Sequence, residues 1–318
     1  MSSSTLAEQA ARQPAVPPRQ RRFTRPGWSP SRGDLPAALL FIAPALLGLS
    51  LFFLFPMLRG VYLSFTEYNI LGEPTWVGTA NYEAIAQDPL FWNALWVTIQ
   101  YVLINITLQT VLALGIALLM QRIARSTLIR GMLLLPYLMA NVIAALLWFW
   151  LLDYQIGIVN HLLETLGGQR VAFFGSEQWA IPTQALINTW RHMGYTALLI
   201  FAGLQMIPRH LYEAASLDGA NAVQSFFRVT LPLLRPVLAL VLVVTVIGSF
   251  QVFDTVAVTT QGGPVNASRV MQYYIFQKAF TESQFGYGSA LAVILFLILA
   301  LMAFVQMKFM RGNQTDLD

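Results

Sequence analysis

Glu213-Ala214-Ala215-Ser216-Leu217-Asp218-Gly219, followed by Ala220 to Arg228 and then Val229-Thr230-Leu231-Pro232, lies between two long apolar runs. Glu213 offers a charge to pair, and Ala214-Ala215 offer a flat surface of close approach. The stretch reads as a place that another protein touches. What it means depends on where the rest of the chain puts it.

The chain has 318 residues, of which 56% are hydrophobic and 11% charged. Its mean hydropathy is positive, a composition outside the soluble globular range. It reads as a polytopic membrane protein. With no cysteine, disulfide and thiol chemistry are excluded. A net charge of +4 would suggest nucleic acid in a soluble protein, but topology accounts for it here and nucleic-acid binding is set aside.

Apolar runs long enough to cross roughly 30 Å of hydrocarbon lie near 37–58, 94–120, 130–152, 183–206, 236–257 and 288–309, which predicts six transmembrane helices in an all-α fold. Pro44, Pro56 and Pro136 are expected to kink helices rather than break them. With the N-terminus inside, fourteen basic residues fall on the inner side, including Arg122, Arg125, Arg130, Arg209, Arg228, Arg235, Lys308 and Arg311. Four (Arg59, Arg170, Arg269 and Lys278) fall outside, among nine carboxylates. The excess predicts that both termini are cytoplasmic.

Residues 1–35, with six arginines among Ser, Gln and Pro, read as a disordered basic tail without a cleavable signal segment. Residues 36–93 hold the first span and an outer loop, 94–310 the five-helix core, and 311–318 a cytoplasmic tail. Short helices are predicted at the end of the loop 71–88 and over Ile158 to Leu166, the latter stopped by Gly167-Gly168.

The opening stretch then falls in the inner connection 207–235, between spans four and five. The pattern predicts a helix from Pro208 to Leu217, a turn at Asp218-Gly219 and a second helix from Asn221 to Thr230. Leu231-Pro232 and Arg235-Pro236 are expected to redirect the chain into span five. So short a helix is marginal in water and needs a surface to dock on. Pattern alone leaves two readings open: docking on a protein, or an amphipathic connector lying on lipid headgroups through Phe226 and Phe227.

The chain carries no catalytic pattern. Its two lysines, Lys278 and Lys308, follow Gln277 and Met307, so it has no phosphate-cradling Gly-Lys-Ser/Thr loop. His161, His192 and His210 are too far apart along the predicted topology to share a metal, and no metal site is expected. No Asp or Glu falls at mid-span, which weakens coupling to an ion gradient. The energy is expected to come from another chain.

Glu213, Ala214, Ala215, Gly219, Leu231 and Pro232, at their mutual spacing and with Val229 where Ile is commoner, resemble the EAA loop of permease subunits of binding-protein-dependent ABC importers. Leu63-Ser64-Phe65 with Asn81-Tyr82, Leu134-Leu135-Pro136, Leu204 to Pro208, Ser249 to Asp254 and Gly262-Gly263-Pro264 are similar to segments of the carbohydrate and glycerol-phosphate branch. The resemblance implies half of a translocation pathway in a bacterial plasma (inner) membrane, paired with a second permease. A dimer of ATPase subunits would dock on Glu213, Ala214, Ala215, Asp218 and Gly219, and ATP would bind there rather than on this chain. An extracytoplasmic solute-binding protein would deliver a sugar or polyol derivative.

A sugar route needs polar and aromatic side chains near mid-membrane. Asn141, Asn188, Trp190, Arg191, Tyr195 and Gln251 are the candidates. Each also reads as interhelical bonding, and that reading is preferred for Asn105 and Gln109. Arg191 is either a cavity residue or an outer anchor. The competing functions are an ABC permease for a non-sugar solute and an autonomous secondary carrier.

Overall fold

The computed structural model describes residues 34–123 and 127–311, with side chains for 39–121 and 128–308. The expected basic tail up to residue 33, Arg125, and the tail 312–318 lie outside the described residues.

The chain divides at Pro56 into two units. In the first, α1 (Asp34–Leu49) continues into a π turn, Ser50–Leu54. Its large apolar side chains are exposed, including Phe41, Phe52 and Phe53. An apolar helix with exposed apolar side chains suits lipid contact. Pro44 sits inside α1 without ending it, as expected.

The second unit holds the packed core. The helix α2 (Phe55–Ser64), which enters this unit at Met57, gives way to a two-residue hairpin, β1 (Thr66–Glu67) against β2 (Thr75–Trp76), which the sequence reading did not foresee. Asn81, on α3 (Ala80–Gln87), donates from Nδ2 to the Ser64 and Thr66 carbonyls, both at 2.9 Å. Tyr82 shares a 2.7 Å hydrogen bond with the Ser64 hydroxyl. This pair thus satisfies the frayed end of α2.

The next helix, α4 (Pro89–Ile123), has 35 residues and is about 50 Å long, more than a bilayer requires. Asp88 caps it, accepting the Leu90 N–H at 2.8 Å and the hydroxyls of Tyr274 and Tyr287. Burial raises the Asp88 pKa, but these hydrogen bonds and the nearby Lys278 charge outweigh it and hold the carboxyl below the usual range.

The third predicted span is not continuous. It comprises α5 (Thr127–Leu138) and α6 (Asn141–Leu151), and their described parts meet at 90°. Pro136 removes an N–H in the last turn of α5, and Ala140 is extended, so the helix breaks where a kink was expected. Beyond α6 comes α7 (Ile158–Thr165), whose end is closed by Gly167 at φ +83° with Gly168 N–H on the Leu163 carbonyl at 2.8 Å.

The longest packed pair is α4 with α8 (Ala180–Gln205). Gly194 is the crossing point with α5: a Cβ there would lie 1.9 Å from the Leu133 carbonyl oxygen. After α8 come α9 (Arg209–Leu217), α10 (Ala222–Ser225), a π turn (Phe226–Thr230) and α11 (Leu231–Phe250). The prolines do not redirect the chain, because Ala222–Thr259 forms one candidate span. The wider π turn pairs Leu231 N–H with the Phe226 carbonyl, and Pro232 enters at the first positions of α11, where its missing N–H costs least. The chain ends with α12 (Asp254–Thr259), α13 (Met271–Phe276), a π turn (Gln277–Thr281) and α14 (Phe285–Arg311).

Two apolar cores fill the unit. Tyr101, Met271, Tyr274 and Leu291 belong to one, while Ala113, Ala117, Ala197, Ile200 and Leu204 join α4 to α8 in the other. Among the described residues, four helices are long and apolar enough to cross a membrane, and the bent pair α5–α6 makes five. The 26-residue α8 is not among them, since it carries Gln184, Asn188, Thr189, Arg191, His192 and Thr196. Fourteen of its residues are buried, so its polar groups meet protein rather than hydrocarbon.

Candidate functional site

Between the two apolar cores lies a polar layer made by α4, α8 and α11. Asn105, fully buried, donates to Ser249 Oγ at 2.8 Å and to Gln109 Oε1 at 3.3 Å. Its own oxygen accepts from Asn188 Nδ2 at 3.0 Å and Thr189 Oγ1 at 3.2 Å. Gln109 in turn donates to Thr196 Oγ1 at 2.8 Å. Every amide in this layer has a partner, as a buried polar network requires. The interhelical role preferred for Asn105 and Gln109 describes these contacts.

Against this layer opens a cavity of about 280 Å³. Of the six pathway candidates, Asn141, Asn188, Tyr195 and Gln251 line it together. The broken helix is what brings Asn141 there, at the first residue of α6, where its Nδ2 donates to Asp254 Oδ2 at 2.7 Å. Tyr195 stacks on Tyr137, with centroids 4.5 Å apart and planes within 10°, giving the wall a flat aromatic face.

Trp190 and Arg191 are not on that wall. Trp190 packs edge-on against Trp148 at 5.4 Å. Arg191 Nε donates to the Met139 carbonyl at 2.9 Å and Nη2 to the Tyr137 carbonyl at 3.1 Å. Those carbonyls belong to the end of α5 and the break beyond it, which lack helical partners. The guanidinium therefore closes the broken helix and lies over the Tyr137 ring at 5.4 Å.

Among the other wall residues, Tyr137, His192 and Asp254 were not among the pathway candidates. His192 lies four residues after Asn188 and three before Tyr195, on one helical face, so its period was a usable signal. Its Nε2 stands 3.0 Å from Arg191 Nη1 and its Nδ1 3.0 Å from the Asn188 carbonyl. Since a guanidinium only donates, Nε2 accepts and Nδ1 carries the proton, which is the neutral tautomer. Asp254 gave no such signal, because a helix break after Phe250 separates it from Ser249. Among the described residues, no group of three His, Asp or Glu side chains could hold a metal.

The connection between α8 and α11 has the opposite character. Its first helix, α9, begins one residue later than expected, with Pro208 as an extended N-cap. It ends as predicted, with Gly219 at φ +79°. Ala220 N–H reaches the Ala215 carbonyl at 2.9 Å and Gly219 N–H the Ser216 carbonyl at 3.1 Å, a Schellman closure. Asn221 and Gln224 then form a reciprocal capping box at 2.9 Å each way. These caps hold two short helices in a fixed turn. Glu213 and Ala214 are exposed, Ala215 is half-buried, and Leu217 is 89% exposed. Among the described residues, Glu213 pairs with Arg209 on its own helix at 3.1 Å, an exposed contact of little worth.

A family model described as "Binding-protein-dependent transport system inner membrane component" matches residues 37–311. The sulfoquinovosyl glycerol transport system permease protein SmoG of Agrobacterium fabrum (strain C58 / ATCC 33970) is 37% identical over 282 residues, covering 88% of this chain and 92% of that protein. The arabinooligosaccharides transport system permease protein AraP of Bacillus subtilis (strain 168) is 30% identical, covering 86% and 88%. The crystal structure of a bacterial ABC transporter that imports the acidic polysaccharide alginate contains a chain of the same fold. Its TM-score is 0.77 at 21% identity, over 89% of this chain and 97% of that one.

Proposed function

The chain belongs to the family of binding-protein-dependent transport system inner membrane components, and we propose that it forms half of the pathway by which an ATP-driven importer takes up a sugar or polyol derivative. It is a multi-pass membrane permease and not an enzyme. The sugar class is supported by what its relatives are named for, and by a cavity wall of amides and stacked tyrosines that suits a polyhydroxy ring. In this reading Asn141, Asn188, Tyr195 and Gln251 meet the solute, while Arg191 supports the wall from behind and Trp190 packs beside it.

The chain crosses the membrane six times with both termini cytoplasmic, α8 being the crossing expected over 183–206. The excess of basic residues in the inner segments supports this orientation. The division into a basic tail (1–35), a first span with its loop (36–93), a five-helix core (94–310) and a short tail (311–318) follows from it. A second permease completes the pathway, and an extracytoplasmic binding protein delivers the solute.

The observation that carries the coupling role is α9: a capped helix presenting Glu213, Ala214 and Leu217 outward with little of this chain to pack on. A dimeric ATPase seats on this face, with Asp218 and Gly219 at its edge, and holds the ATP. ATP-driven closure of that dimer moves α9 and rocks the bundle. The test is uptake into vesicles holding this chain, the second permease and the ATPase, with the binding protein outside and ATP inside. Sugar should accumulate only when all are present, and accumulation without the ATPase would overturn the proposal.

A further inference from the structure

If α9 is where the ATPase pushes, the push must reach the cavity through some contact. Among the described residues, α9 packs against α10 and the π turn Phe226–Thr230, and its one side-chain hydrogen bond to another element is Tyr212 Oη to Thr230 Oγ1 at 3.1 Å. Thr230 is buried and is the residue from which α11 starts. Twenty residues on, about 30 Å along the axis, α11 ends beside Gln251 and Asp254 on the cavity wall. Along the way it carries Thr245 and Ser249, the latter bonded to Asn105.

We propose that the Tyr212–Thr230 hydrogen bond is the link that converts displacement of α9 into displacement of α11 and so of the cavity wall. Tyr212 is a positioning residue, acting on the solute only through Thr230 and the helix behind it. The geometry favours a bond over general packing for one reason. The neighbouring Phe227 is exposed and the groove around Phe226 is open, with a volume of about 640 Å³. Apolar contact there has no direction of its own, whereas the hydrogen bond ties α9 to the buried N-cap residue of α11. The proposal rests on the docking of the ATPase at α9.

The chain has no cysteine, so a single introduced one reports on the cavity without a known substrate. Val244, half exposed and on the cavity wall, is the position for it. In the assembled importer carrying Val244→Cys, labelling by a membrane-impermeant maleimide is measured with and without ATP and vanadate. ATP and vanadate should change the labelling rate about fivefold or more while Tyr212 is present. Tyr212→Phe should reduce that change to less than about twofold, with ATPase co-purification and ATP hydrolysis retained. Thr230→Val should do the same, the double variant should be no worse than either alone, and Thr230→Ser should restore the response. A merely structural role for the bond would lower hydrolysis and assembly in step with the labelling response. A full response in Tyr212→Phe overturns the link and leaves ATPase docking standing. Absence of any nucleotide response, or of ATPase capture, with Tyr212 in place overturns both.

Discussion

Asn105 and Glu213 show two treatments of a polar side chain in one molecule. Asn105 is fully buried and uses its amide on Ser249, Gln109, Asn188 and Thr189, all within the chain. Glu213 is exposed and, among the described residues, pairs with Arg209, one turn away on its own helix. The polar layer is closed and satisfied, so it fixes where α4, α8 and α11 stand. The α9 connection is rigid in its backbone and unsatisfied on its outer face, so it is suited to receive a partner. A transport subunit needs both: a frame that does not slip and a handle that something else can grip.

The contrast can be broken first on the frame. Gly194→Ala places a methyl into the Leu133 carbonyl, where only backbone can give way, and should abolish recovery of a monodisperse folded chain. A folded yield near wild type, measured by size-exclusion chromatography after detergent extraction, would mean that α5 and α8 are not held at this crossing. Glu213→Lys attacks the handle instead. It should weaken capture of the ATPase by about tenfold or more in pull-down, with insertion and thermal stability unchanged. Capture at the wild-type level would remove Glu213 from the interface.

Arg191→Lys tests whether the guanidinium closes the broken helix. One ammonium cannot reproduce a planar fork on the Tyr137 and Met139 carbonyls, so stability should fall by about 1–3 kcal/mol. Thermal unfolding would show it, and an unchanged midpoint would argue that water or lipid serves those carbonyls equally well. The smallest effect belongs to Asn105→Ala, expected at about 0.6–2 kcal/mol, the usual size of interhelical bonds in membranes. A larger loss would show the layer acting cooperatively.

The handle was legible because its information is local. The turn at Asp218-Gly219 needs a left-handed residue, and glycine supplies it. Asn221 and Gln224 stand three apart, as a capping box demands, and Glu213-Ala214-Ala215 keeps its spacing to Leu231-Pro232. The frame was legible only as a set of polar letters at mid-span depth. Four of the six chosen letters share one cavity wall, but Arg191 was indistinguishable from a cavity cation until its carbonyl partners, more than fifty residues earlier, were seen. Pro136 announced a disturbance in its helix, but not that the helix would turn through 90°.

By itself, then, the sequence determined the membrane class, the expected orientation, the lack of any phosphate loop of its own and the shape of α9, because hydropathy, charge bias and capping act over a few residues at a time. Only the tertiary structure decided that α8 is a polar helix sheltered by its neighbours, that Arg191 closes a break instead of facing the cavity, and that Tyr212 reaches Thr230. Each of these is a hydrogen bond or a burial that joins separate segments. Inside a bilayer a polar group must find its partner wherever the packing brings one, and spacing along the chain carries no record of that choice.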